Sequence, residues 1–125
     1  MRHRTINPPE LGKPVGFSHG ILTEGGRLLF LGGQNGGAGD FAKQFEQALD
    51  RIVAVIRAAG GEPHHLALLN IYVTSRTDYA RARRKMGRSW RERLGSHYPA
   101  CALFIVRGLW ERGAKVELEG IAVIP

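Results

Sequence analysis

The chain carries a single thiol, Cys101, in the stretch YPACALFIV (98–106), two residues past Pro99 and at the mouth of an apolar run. A thiolate becomes a nucleophile or a metal ligand only where a cation, an imidazole or a helix N-terminus lowers its pKa, and no such partner is placed beside Cys101 by the sequence. One cysteine also excludes an intramolecular disulfide, a CxxC redox pair and a paired zinc site. The simplest reading is a small, soft side chain opening a packed strand; an unreactive wall of a ligand cleft comes second and a nucleophile last. Glu117 and Glu119 in KVELEGIAVI (115–124) alternate with Val116 and Leu118, so both carboxylates point to one face of a strand. If that face is covered, the acids need partners or raised pKa values and become candidates for proton transfer; on an open face they are merely solvated, which the sequence by itself favours. The histidines (His3, His19, His64, His65, His97) show no metal-ligand spacing, so no metal is expected and solvated imidazoles are. GGQNGGAGD (32–40) matches neither phosphate-binding glycine pattern, and Asp40 at a helix start would repel a phosphate, so a plain connection is expected.

The last chemistry-bearing stretch is RARRKMGRSWRER (81–93), where most of the positive charge is concentrated. The chain of 125 residues has 18 Lys and Arg against 11 Asp and Glu, a formal charge of +7, which attracts anions in general. The length fits one domain, residues 1–125, able to bury roughly two-thirds of its unfolded surface. No run approaches the roughly 18 apolar residues of a membrane span, and MRHRTINPPE is not followed by the apolar core of a secretory signal. A lone cysteine fits a reducing, cytoplasmic setting.

The elements that must position these residues follow from periodicity. VGFSHGI (15–21) and RLLFLGG (27–33) read as strands of a hairpin around TEGG. Asp40 N-caps a helix to about Ala59, with Phe41, Phe45, Ala48, Leu49, Ile52, Val55 and Ile56 at three- and four-residue spacing, stopped by Gly60-Gly61. HLALLNIYVT (65–74) reads as a buried strand, and Thr77 as the cap of a second helix over 78–94. On that helix Tyr79, Ala82, Met86 and Trp90 share one face, and Arg81, Arg84, Arg88 and Arg91 fall opposite as a solvated stripe. Arg83 departs from the stripe and projects beside Met86 and Trp90. Because the aromatics share the core face, the basic stripe lacks an exposed stacking platform, which argues against nucleic-acid binding. In the strand 100–109 both alternating side-chain sets are apolar, so it needs cover on both faces. Two helices cover only one face of such a sheet, so a second copy is expected on the other.

Taken in order and spacing, GFSHGI, LLFLGGQNG, FEQALDRIVAVIRAAGG, IYVTSRTDYA, YPACALF and KVELEGIAV resemble the RidA/YjgF family over nearly the whole chain. The resemblance implies an α+β, chorismate-mutase-like fold, a six-stranded mixed sheet with two helices on one face. It also implies a homotrimer with small-molecule clefts between subunits, and hydrolysis of reactive imines and enamines to keto acids and ammonia without metal or organic cofactor. In the family an arginine directly after the "PA" of the penultimate strand clamps the substrate carboxylate; here Cys101 stands in its place. A thiol lacks both the charge and the fork of donors, a loss of roughly 1.5–3 kcal/mol for one charge-assisted partner. The family's tyrosine before the first-strand serine is Phe17, the serine of its "SGQ" is Gly32, and the asparagine of its second helix falls on Arg83. Ser18 keeps its residue type, as does Glu117, which is placed to position the attacking water. The resemblance thus implies Glu117 as the catalytic residue and Phe17, Ser18, Gly32, Arg83 and Cys101 as substrate-binding ones. Three readings stand beside one another: an atypical imine/enamine deaminase or related hydrolase, a non-catalytic metabolite-binding trimer, and a disfavoured RNA-binding or RNA-cleaving protein.

Overall fold

The computed structural model describes residues 1–125. Its elements are β1 (Arg2–Ile6), β2 (Gly20–Glu24), β3 (Arg27–Asn35), α1 (Phe41–Ala58), β4 (Leu66–Val73), α2 (Arg76–Leu94), β5 (Ala100–Ile105) and β6 (Val116–Ile124). Four strands form a sheet in the order β3-β6-β4-β5, in which only β4 and β5 run parallel. β1 and β2 form an antiparallel ribbon. The ribbon meets the sheet at Ser18, which bridges to Ala100 and donates its backbone N–H to the Pro99 carbonyl at 2.9 Å. Six strands and two helices on one face thus make the α+β arrangement expected.

α1 forms where the spacing places it: the Asp40 side chain accepts from the Lys43 N–H, and Phe45, Ala48, Leu49, Ile52 and Ile56 are buried against the sheet. They meet Leu31 of β3, Leu66, Leu69 and Val73 of β4 and Val116, Leu118 and Ala122 of β6 in one core. α2 adds Ala82, Met86, Trp90 and Leu94 to that core, and Arg93 ties it to α1 through Asp50 and Glu46. The glycine-rich loop is a close-packed connection, since a Cβ at Gly36 would run into the backbone of Gln44. Gln44 is buried and holds the loop, donating to the Gly39 and Gly113 carbonyls and accepting from Lys115 N–H.

Four local expectations are corrected. The segments around Gly25-Gly26 do turn, with positive φ at both glycines, but the first strand lies at Gly20–Glu24 rather than 15–21, and β2 pairs with β1 and β3 with β6, so the hairpin does not form. Ser75, not Thr77, caps α2, accepting from Asp78 N–H. β5 ends at Ile105 rather than 109, where RGLWERG leaves the sheet. Three histidines are packed rather than solvated: His65 is buried and His3 stacks on His97 with ring centroids 6.1 Å apart, while the exposed His64 tilts against His65 at 4.2 Å. His3 Nε2 is bonded to the His65 carbonyl and His97 Nε2 to the Leu66 carbonyl, so this cluster ties the ribbon to the start of β4.

The face of the sheet away from the helices is bare. Phe30 is 71% and Leu28 65% exposed, and Phe104 of β5 lies open beside Tyr72, with ring centroids 5.2 Å apart. No helix is long and apolar enough to cross a membrane.

Candidate functional site

Residues from five separate stretches converge on a groove of about 510 Å³ between α2 and β5. α2 packs on α1 rather than flat on β5, and the gap is floored by Phe45, Ile71, Cys101 and Leu103. Phe17 closes one end, held there by its neighbour: the buried Ser18 hydroxyl donates to the Tyr98 carbonyl at 2.6 Å. Tyr98 stacks in parallel on Trp90, centroids 5.9 Å apart, and the Trp90 indole N–H donates to the His97 carbonyl. These bonds fix an aromatic wall before any ligand arrives.

Cys101 lines the groove half-buried, its Sγ 3.5 Å from the Pro99 carbonyl. Burial pushes its thiol up to about 11, so at neutral pH it is a neutral wall and not a nucleophile. Arg83 lies at the rim, where the sequence places it, and makes no ion pair within the chain. Arg91 is at the rim too, although the helical wheel puts it in the solvated stripe. A Cβ at Gly87 would fall 3.1 Å from Arg91 Nη1, so the Arg91 guanidinium folds back across the glycine toward the groove.

Ser18 does not face the groove; it fixes Phe17 and Tyr98 and borders a neighbouring depression with Lys13 and Asn7. Gly32 and Glu117 lie elsewhere. A register shift between Leu31 and Gln34 sets Gly32-Gly33 against β6, and a Cβ at Gly33 would fall 2.8 Å from Glu117 Oε2. The Glu117 carboxylate therefore lies over a bulge that has no side chain to displace it. Glu117 shares the bare face with Glu119, whose Oε1 accepts from the Tyr72 hydroxyl and, at 3.5 Å, from Asn70 Nδ2. The hydrogen bond to Glu119 raises the Tyr72 phenol above its ordinary range. Within one protomer, Phe17, Arg83 and Cys101 thus stand on the helix side of the sheet, while Gly32 and Glu117 stand on the opposite face. The sequence reading missed Arg91, Gly33 and Tyr72. The i, i+4, i+8 row Arg83–Gly87–Arg91 and the alternation of Tyr72 with Asn70 were the signals that could have found two of them.

A two-layer α+β chain with a bare sheet face and an apolar groove under its second helix is the class that fold and site define. The chain belongs to the Endoribonuclease L-PSP family, that of the Rid/YjgF proteins, whose model matches residues 11–124. It is 30% identical over 132 residues to Protein DfrA of Myxococcus xanthus, covering 98% of this chain and 97% of that one. The structure of YyfB, a member of the conserved Rid protein family from Yersinia pestis, is similar at a TM-score of 0.86 and 27% identity, over 99% of this chain and all of that one (100%). The RidA of an Antarctic Psychrobacter matches at a TM-score of 0.69 and 27% identity, covering 90% of this chain and 92% of its own.

Proposed function

We propose that three copies of this chain assemble through their bare sheet faces and bind a small anionic or carbonyl-bearing metabolite in the clefts between them. The observation that carries this reading is the convergence of Phe17, Arg83 and Cys101 on one apolar groove with an unpaired guanidinium at its rim. In an assembled particle, Gly32 and Glu117 of one copy complete the groove of its neighbour. Residues 1–125 act as one RidA-like domain, and the lone protonated thiol suits a reducing, cytoplasmic setting.

The chemistry suited to these groups is hydrolysis of an imine or its enamine tautomer. Glu117 orients the water and takes its proton as it adds to the imine carbon, then returns that proton to the nitrogen, and collapse of the carbinolamine gives a ketone and ammonia. No metal or organic cofactor is needed for those steps. With Cys101 where the family has its arginine clamp, Arg83 is left to hold the substrate anion, from the opposite side of the groove.

The test compares wild type, Cys101→Arg and Glu117→Ala in an assay where an amino-acid oxidase generates 2-imino acids and ammonia release is followed. Cys101→Arg should exceed wild type by roughly 10- to 100-fold, the worth of one charge-assisted contact. Glu117→Ala should lose the release in either background. Equal activity in wild type and Cys101→Arg would overturn the clamp reading. The neutral Cys101 also favours a second reading, a metabolite-binding trimer without turnover, whose signature is ligand-induced stabilisation with no ammonia released in any variant.

A further inference from the structure

The groove has two cations where the family resemblance supplies one. Arg83, Gly87 and Arg91 occupy one i, i+4, i+8 row of α2, so the two arginines are two turns apart with an empty Cβ position between them. The missing side chain at Gly87 is what lets Arg91 fold back, its Nη1 coming within 3.1 Å of that position. Of the α2 arginines only Arg93 is spent on carboxylates, chiefly Asp50 and Glu46 of α1; Arg83 and Arg91, the two that line the groove, pair with none. No Asp or Glu lines the groove, and its walls are the rings of Phe17, Tyr79, Trp90 and Tyr98. Two uncompensated guanidinium groups flanking a gap, beside an aromatic box, match an anion with two charges close together on an apolar body.

Resting on the proposed groove as the binding site, we infer that its ligand is an organic dianion, a phosphate monoester or a vicinal dicarboxylate borne on an aromatic or branched apolar group. Arg83 and the Arg91 guanidinium folded back over Gly87 grip the doubly charged head together, and the aromatic wall holds the body. Gly87 is the specificity element, because any side chain there would push aside the Arg91 guanidinium that lies across it. A singly charged carboxylate engages one arginine at a time and gains no comparable advantage.

The experiment titrates phenyl phosphate, phenylsuccinate, benzoate, inorganic phosphate and benzyl alcohol into the intact protein by calorimetry. Phenyl phosphate or phenylsuccinate should bind at least 10-fold more tightly than benzoate, and whichever of the two leads tells the phosphate from the dicarboxylate source. Arg91→Gln should cost the dianion about 10-fold while leaving benzoate within about 3-fold, erasing the preference. Gly87→Asp, which sets a carboxylate between the arginines, should abolish dianion binding, and Arg91→Lys should recover part of what Arg91→Gln loses. Thermal melts of each variant verify folding. Dianions binding no more tightly than benzoate, or an unchanged preference in Arg91→Gln, would overturn the two-arginine clamp while the groove survives as a site. If not even benzoate or benzyl alcohol binds, the groove itself is not the site and both proposals fall.

Discussion

The two faces of the central sheet both carry large apolar residues and behave oppositely. Under the helices, Leu69, Val73, Val116 and Leu118 are fully buried; on the far face Leu28 and Phe30 of β3, as apolar as those, are mostly exposed. Alternation along a strand decides which residues share a face, but only a covering layer turns an apolar face into a core. The helix face is complete within one chain except at the groove, where α2 stands away from β5. The bare face carries the opposite arrangement, an apolar surround with Glu117, Glu119, Asn70 and Tyr72 in its middle. Each face therefore holds some of the residues assigned to the proposed site.

Substitutions on the two faces should separate them. Leu69→Ala, beneath the helices at 0% exposure, should cost about 2–5 kcal/mol in denaturant titrations, through lost burial plus the cavity left behind. Next in size is the chemistry of the groove wall. With its pKa pushed up to about 11, Cys101 should react with iodoacetamide at pH 8 roughly 100-fold more slowly than a free cysteine, and its rate should still be rising at pH 10. A plateau near pH 8.5 would show a thiol more open than the groove implies. The histidine cluster should make stability pH-dependent. Burial lowers His65 and His97, so the folded state binds fewer protons than the unfolded one. Their contribution is whole above the unfolded value of about 6.5 and is lost as pH falls from there through the lowered folded values. Melts between pH 8 and pH 5 should show this fall, and His97→Asn should flatten it. The smallest effect belongs to the bare face: Phe30→Ala should change the stability of the dissociated chain by no more than about 0.5 kcal/mol.

Much of this architecture was legible because helical and strand periods survive burial. α1 starts at its Asp40 cap, and β4 and β6 lie within a residue or two of where their apolar runs place them. The pairing of strands was not legible. β1, RHRTI, is mostly polar and exposed and has no apolar alternation to announce it, yet it is the partner that β2 takes in place of β3. A turn signal at Gly25-Gly26 reports a reversal of the chain, not which strand lies alongside. At the site, Arg83 and Cys101 were readable from helix phase and from the family pattern. Arg91 was readable only from its spacing to Gly87, because phase describes where a Cβ points, whereas a long side chain beside a glycine can cross to another face. His3 and His97 were misread for a related reason: they are bonded to backbone carbonyls of residues distant in sequence, which no spacing rule reveals.

The most direct measurement is sedimentation of wild type and Phe30→Asp, paired with benzoate and phenyl phosphate binding by each. A site shared between copies predicts that wild type sediments at three times the 13.8 kDa chain mass, and that Phe30→Asp sediments as a folded single chain with its binding lost. Wild type sedimenting at 13.8 kDa, or a dissociated Phe30→Asp that binds as tightly as wild type, contradicts it.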